Sequence, residues 1–444
     1  MSPKEYSFGR GSRINGRLLA IMVGTLLLAS ACAGTTDNGN TGSSGGSGPA
    51  ASGAAKGDAV ENGVTDYLAY VAGTAGAAKS DLPAVTIGWV NVEGTAAGAP
   101  EATNGAQAAV NYVNKELGGI GGHPLALHVC KISSAEEEGQ RCGQEMLNDS
   151  AVSAVAFGNV FVGDQSFNSV LKGQKPVVVS VATGPSVPTA KNTAVIFGDL
   201  SHVWGPWGSY GRDVLQAKTA AIIHTNTPPD KAAAGAARVA LEAAGIKTKS
   251  VGFDAQSTDL LAPVTAAGGQ SADMIVPISV GQGCIGIAKA LKQLGSKKPV
   301  VSSPVCLSPD VAQGLGGDLP QWTYGVAQTL PSDSKAPDVQ AYLKASSGAG
   351  LSADDQGKVW AAVSWSSILS YAKVMNEVGG DTITPEAVGA QLTKFQGPVV
   401  MGAPKVECGK YSDSPAVCND QVRFYQYNGK GAFVALTGWL RPPA

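Results

Sequence analysis

Charge is scarce in this chain: Asp, Glu, Lys and Arg make up 15% of residues, and the formal net charge is −2. There is no run of Lys or Arg, so the electrostatic footprint of a nucleic-acid partner is missing. Aromatics are sparse, while the apolar content is ordinary for a globular protein. The histidines His123, His128, His202 and His224 form no i, i+4 pair, and no two cysteines have Cys-x-x-Cys spacing, which argues against a metal site. A G-x-S-x-G nucleophile elbow does not occur. The S-x-x-K match "SDSK" (332–335) lies in a Pro-flanked stretch with no K-T-G partner. The apolar run Leu18–Leu28 falls short of the roughly 20 residues of a membrane span.

What is present begins with an export pattern. Lys4, Arg10, Arg13 and Arg17 precede that apolar run, and Ala29, Ser30 and Ala31 lead into Cys32. Small residues before a cysteine resemble a bacterial lipobox, with Ala29 where Leu is usual. Residues 1–31 are read as a lipoprotein signal peptide and Cys32 as the lipid-attachment residue. The stretch "AGTTDNGNTGSSGGSGPAASGAAKG" (33–57) has no large apolar side chain to offset the entropy of ordering it. Residues 32–83 are therefore expected to be a flexible tether. A short helix within it is suggested by Val60, Val64, Tyr67, Leu68 and Val71, and residues 58–83 either pack on a lobe or stay with the tether.

Six cysteines remain: Cys130, Cys142, Cys284, Cys306, Cys408 and Cys418. An even number in an exported chain suggests disulfides. About 15 connectivities are possible, and local pairing is the simplest.

From Ala84 about 360 residues follow, enough for two ordinary domains. Short β-branched runs alternate with helical patterns. The runs are "VTIGWV" (85–90), "LALHVC" (125–130), "VSAVAFG" (152–158), "PVVVSV" (176–181), "AAIIH" (220–224), "DMIVPI" (273–278) and "PVVSS" (299–303). In the helical patterns, Ala106, Ala109, Val110, Val113 and Leu117 share a face ending at Gly118, and Ile287, Leu291 and Leu294 share another. A third helix is expected to bury a face around Val239 and Ala243. This rhythm implies βαβ units and doubly wound sheets. "VWAAVSWSSILSYAKVMNEVGG" (359–380) is apolar nearly all round and reads as a buried helix, and Asn428-Gly429 signals a hairpin. Two α/β lobes, with the chain crossing between them more than once, fit this order.

"GQGCIG" (281–286) matches G-x-G-x-x-G between a strand and a helix. The acidic residue expected near the end of the next strand is missing, so a Gly-rich turn at a sheet edge is the preferred reading and no cofactor is expected. "AEEEGQ" (135–140) reads as a solvated helix N-terminus. "HVWGPWGSYG" (202–211) reads as core packing, with a cleft wall as the alternative.

"IGWVNVEG…NGAQAAVNYVNKELGGIGGHPLALHVC", followed in order by "GQKPVVVSVATGPSV", "TAAIIHTN", "ADMIVPISVGQGCIGIAKALKQLG" and "WTYGVAQTLP", resembles the leucine/isoleucine/valine-binding family of type I periplasmic binding proteins. The resemblance implies an α/β fold of two doubly wound Rossmann-like lobes joined by three crossover segments. Residues 84–203 and 328–395 would form the first lobe, and 204–327 and 396–444 the second. It also implies a Cys130–Cys142 disulfide. It implies an exported receptor, lipid-anchored to the outer face of the cytoplasmic membrane and monomeric, that gives a small-molecule ligand to ABC permease and ATPase subunits by hinge closure.

Carried over by position, the ligand loops hold Asn159, Val160, Phe161 and Val162, then Val181 and Thr183. In the second lobe they hold Asn226, Val280, Gln282 and Val305. Thr183 matches the family's ligand-loop threonine. Val305 stands where the family places a glutamate for the ligand's ammonium group, and a buried ammonium without a partner is costly. The expected ligand is therefore a branched-chain amino acid held differently, an amide, a carboxylate or a moderately apolar molecule. A sensor of the same fold is the alternative. An exported enzyme, with Ser180 or Ser303 as nucleophile, is the weaker one.

Overall fold

The computed structural model describes residues 63–443, apart from 96, 97, 183, 185 and 200. The expected signal peptide, the expected lipid-attachment residue Cys32 and the glycine-rich stretch lie outside the described residues. So does Thr183.

The first lobe is built on five parallel strands: β1 (Val85–Val92), β2 (Leu125–Ile132), β3 (Val152–Phe157), β4 (Val177–Ala182) and β5 (Thr193–Asp199). Their order is β2-β1-β3-β4-β5. The second lobe repeats that order with β6 (Thr219–Thr225), β7 (Lys247–Phe253), β8 (Met274–Ile278), β9 (Val301–Ser302) and β10 (Thr323–Val326). There β7-β6-β8 are joined to β9-β10 by a parallel bridge between Ile275 and Val300. The two-residue strands β11 (Gln396–Gly397) and β12 (Val406–Glu407) pair with each other. The tail hairpin, β13 (Val422–Tyr427) and β14 (Phe433–Leu440), adds antiparallel strands beyond β10. In both parallel sheets the strand order reverses beside the first strand. These points, β1/β3 and β6/β8, are where open α/β sheets leave a crevice beyond the strand ends.

The chain crosses between lobes after β5, after β10 and before β13. Residues 396–420 were expected in the second lobe. They stay with the first instead: Val417 bridges Val195, and Asn419 Nδ2 donates to the Phe197 carbonyl at 2.9 Å. The last boundary therefore lies near 421.

The helices cover the sheets as their patterns dictate. Helix α1 (Tyr67–Tyr70) is capped by Asp66. In α2 (Pro100–Glu116) the expected alanine and valine face is buried, and Gly118 follows at φ +76°, where a Cβ would strike the Thr74 carbonyl. Then come α3 (Glu136–Asn148), α4 (Asp164–Leu171), α5 (Gly205–Ser209), α6 (Pro228–Ala243), α7 (Leu261–Ala267), α8 (Gln282–Gln293), α9 (Pro309–Gly314), α10 (Pro337–Gly348), α11 (Ala353–Gln356), α12 (Val359–Val378) and α13 (Pro385–Leu392). The apolar α12 is buried along most of its length. Its Tyr371 hydroxyl donates to the carbonyls of Val155 and Pro176 at 2.6 and 3.0 Å, which locks it under the first sheet.

Two expectations fail here. In α6 the buried face is Ala233, Ala234, Ala237, Ala240 and Leu241, while Val239 and Ala243 face solvent. Small residues were needed inside because α5 runs against this helix so closely that a Cβ on Gly208 would strike the Ala240 carbonyl. Residues 63–83 are not part of a tether: Val64, Tyr67 and Val71 are buried, and Tyr67 packs edge-on against Tyr112. Asn376 Nδ2 also donates to the Val71 carbonyl at 2.9 Å. This segment is a further layer on the first lobe.

The six cysteines pair locally, as Cys130–Cys142, Cys284–Cys306 and Cys408–Cys418. Trp204 and Trp207 are core residues, with Trp207 Nε1 donating to the Val301 carbonyl at 3.2 Å.

Candidate functional site

At the first switch point the strand ends are fixed by a buried polar network. Asn91, fully buried on β1, accepts from the Asn159 backbone N–H at 2.9 Å and so ties the β3 loop to β1. Its amide donates to the Ala99 carbonyl at 2.8 Å, to Thr103 Oγ1 at 3.1 Å and to Glu93 at 3.2 Å. Thr103 donates to Glu93 at 2.5 Å, and Lys131 pairs with Glu93 at 2.6 Å. Burial pushes the Glu93 carboxyl up, but these donors, Lys131 first, outweigh it and hold the group below its ordinary range. Sequence reasoning missed this network. The one available signal was an Asn near the end of an otherwise apolar strand and a Glu just beyond it.

Next to it, the acidic run of α3 does more than meet solvent. Glu138 accepts the backbone N–H groups of Ala135, Ser134 and Ser133, which lower its carboxyl to about 2. Glu136 reaches across to the N-terminus of α4 and accepts from Gly163 at 2.7 Å and Ser166 at 2.8 Å. Asp164, the first residue of α4, is buried under the loop after β4. Ser186 donates to it at 3.2 Å, and a Cβ on Gly184 would lie 1.9 Å from its carboxylate. Burial and the nearby Glu136 push the Asp164 carboxyl up.

The second switch point is lean. Thr225 and Ser279, both buried, share a 2.5 Å hydrogen bond between the ends of β6 and β8. The Cys284–Cys306 disulfide, with its Cα atoms 5.8 Å apart, covalently ties the start of α8 to the turn after β9. The glycines of "GQGCIG" serve packing. Gly281 caps α8 at φ +44°, and a Cβ on Gly283 would strike the Ser279 hydroxyl.

The loop residues singled out from sequence divide by exposure. Asn159 and Val160 are buried, and Val162 and Val181 are half-buried. Phe161, Val280 and Val305 are 43%, 60% and 44% exposed. Among the described residues they are half of the large apolar side chains that face solvent, and all three stand beyond the carboxyl ends of parallel strands. Asn226 and Gln282 are exposed beside them. The turns 279–282 and 303–308 contain no charged residue. A surface hollow of 340 Å³ lies elsewhere, between α2 and the segment after α10. Ser180 is fully buried, and its hydroxyl has no hydrogen-bond partner among the described residues.

A family model described as "Periplasmic binding protein" matches residues 84–431. No match was found among curated proteins. The fold is similar to that of the leucine binding protein LivK of Thermotoga maritima, at 14% identity over 81% of this chain and 99% of that one, TM-score 0.62. A solute binding protein of an R. palustris ABC transporter, solved with 4-hydroxybenzoate, is 16% identical over 81% and 98%, TM-score 0.63. The branched-chain amino acid binding protein LivJ of Streptococcus pneumoniae, solved with isoleucine, is 18% identical over 81% and 100%, TM-score 0.61. With two sheets of one strand order, crossovers between them and a family match over most of its length, the chain belongs to the periplasmic binding protein family, of the type I, leucine-binding kind.

Proposed function

We propose that the protein is the extracytoplasmic solute receptor of an ABC importer, anchored by a lipid on Cys32. It holds a small organic solute between its lobes and passes it to a membrane permease. Family membership supports the receptor role, and two relatives of the same fold are described with isoleucine and with 4-hydroxybenzoate. The export pattern before Cys32 supports the anchor, and no described helix is long and apolar enough to cross a membrane.

One observation carries the choice of solute: Phe161, Val280 and Val305 present apolar surface beyond the strand ends, and the turns 279–282 and 303–308 offer no carboxylate. An ammonium group taken out of water there would lack a partner, whereas an apolar body would be covered. The solute is therefore an apolar-bodied molecule without a charged amine, such as an aromatic or branched carboxylate or an amide. Asn159, Thr183, Asn226 and Gln282 serve as its polar anchors.

A thermal-shift screen of ligand-stripped protein tests this. Benzoate, benzamide or a branched carboxylate at about 100 times its dissociation constant should add about 2.7 kcal/mol of stability. Leucine should add none, and Val305→Glu should gain a response to leucine. A leucine response in the parent protein would reject the solute class while leaving the receptor role standing.

A further inference from the structure

His202 opens the turn that carries the first crossover into the second lobe, just ahead of the buried Trp204 and Trp207. It is held from the first-lobe side by two groups. Asp199, at the end of β5 and 3% exposed, accepts from the His202 backbone N–H at 3.0 Å and lies 2.8 Å from Nδ1. The Tyr411 ring lies over the imidazole with centroids 4.1 Å apart. Tyr411 belongs to the loop closed by Cys408–Cys418, which is tied to the first lobe: Val195 N–H donates to the Ala416 carbonyl at 2.7 Å, and Cys418 N–H to the Val195 carbonyl at 3.0 Å. Asp420, on the third crossover, accepts from the Tyr411 hydroxyl at 2.7 Å and pairs with Lys410 at 2.9 Å. A rotation of the lobes about these crossovers would have to move His202 against Asp199 and Tyr411.

We infer that His202, Asp199 and Tyr411 form a proton-sensitive clasp across the hinge, holding the lobes in their present geometry when the imidazole is charged and releasing them when it is neutral. This adds a regulatory element to the two-lobed receptor reading. The charged groups facing the ring are Asp199, Asp413 and Lys410. Asp199, first, and Asp413 favour the imidazolium, while burial and Lys410 oppose it, and the balance raises the group above its ordinary 6.5. The sign follows: the clasp is at full strength below 6.5 and is lost as pH rises through the higher folded value. In the present geometry Phe161, Val280 and Val305 are exposed, so the charged clasp opposes closure over a solute.

The test needs no solute, so its failure is separate from failure of the receptor reading. Spin labels are placed on the full chain through a ketone amino acid, which spares the disulfides, at exposed Ser169 on α4 and exposed Val239 on α6. The interlobe distance distribution is then recorded by electron double resonance at about pH 5.5 and about pH 8.5. The distribution should be narrow in acid and about twofold broader in base. His202→Gln should be broad at both. Should that variant fail to fold, Tyr411→Leu removes the stacking ring and should broaden the acid distribution. A parent width that does not change with pH, or a pH response that survives His202→Gln or Tyr411→Leu unaltered, would overturn the clasp.

Discussion

The two lobes share the strand order 2-1-3-4-5 and fix their strand-end loops by different means. In the first, the buried Asn91 and Glu93 gather Thr103, the exposed Lys131 and the Asn159 backbone into one network, with Asp164 seated beneath the loop after β4. In the second, one hydroxyl pair and one disulfide suffice, and the turns carry bare valines. Topology places a crevice in each lobe, but it does not choose the chemistry that shapes it. The polar lobe suits a fixed set of anchors, and the lean lobe suits an apolar wall.

The largest expected effect comes from removing the hub of the polar network. Asn91→Ala removes the acceptor of the Asn159 N–H and the donor to the Ala99 carbonyl, Thr103 and Glu93, four hydrogen bonds at about 1 kcal/mol each, and should cost about 4 kcal/mol in urea unfolding. A loss below about 1 kcal/mol would erase the contrast between the lobes. In the lean lobe, replacing Cys284 and Cys306 together with Ala should cost about 3 kcal/mol for a loop of 22 residues. Limited proteolysis should then cut first within 303–308, and unchanged resistance there would mean that packing alone holds the turn. Gly184→Ala, forced against the Asp164 carboxylate, should cost about 2 kcal/mol. Combining it with Asp164→Ala should give less than the sum of the two single losses.

The smallest effect is one of pH. Glu93 is held below its ordinary 4.5, so its contribution is complete above 4.5 and is lost as pH falls through the lower folded value. Urea midpoints of the parent should decline over that acid range more steeply than those of Glu93→Gln. Parallel curves would show that the carboxylate does not need its charge.

Much of the fold was legible because buried parallel strands are written as continuous β-branched runs. Strands β5, β7 and β10 were not among the expected runs: β5 is buried and apolar all the same, while "KTKSVGF" of β7 is a half-exposed edge strand with lysines and no apolar run. The placement of 396–420 was hidden because it depends on a bridge to β5 and on a disulfide loop, both long-range in space and irregular in sequence. In α6, Val239 looked like the better core residue by side chain, but the close approach of α5 demanded alanines. Within the candidate site, the apolar rim was legible as residues standing at strand ends. The Asn91 and Glu93 network was not, because a polar pair at the end of a strand has no periodicity to announce it.

The central claim is that the cleft takes an apolar body and has no seat for a charged amine. Calorimetric titration of ligand-stripped protein with leucine, and separately with 4-methylpentanoate, which is leucine without its amino group, isolates that one difference. The account predicts that the amine-free compound binds at least about tenfold more tightly, a gap of about 1.4 kcal/mol. Tighter binding of leucine would contradict it.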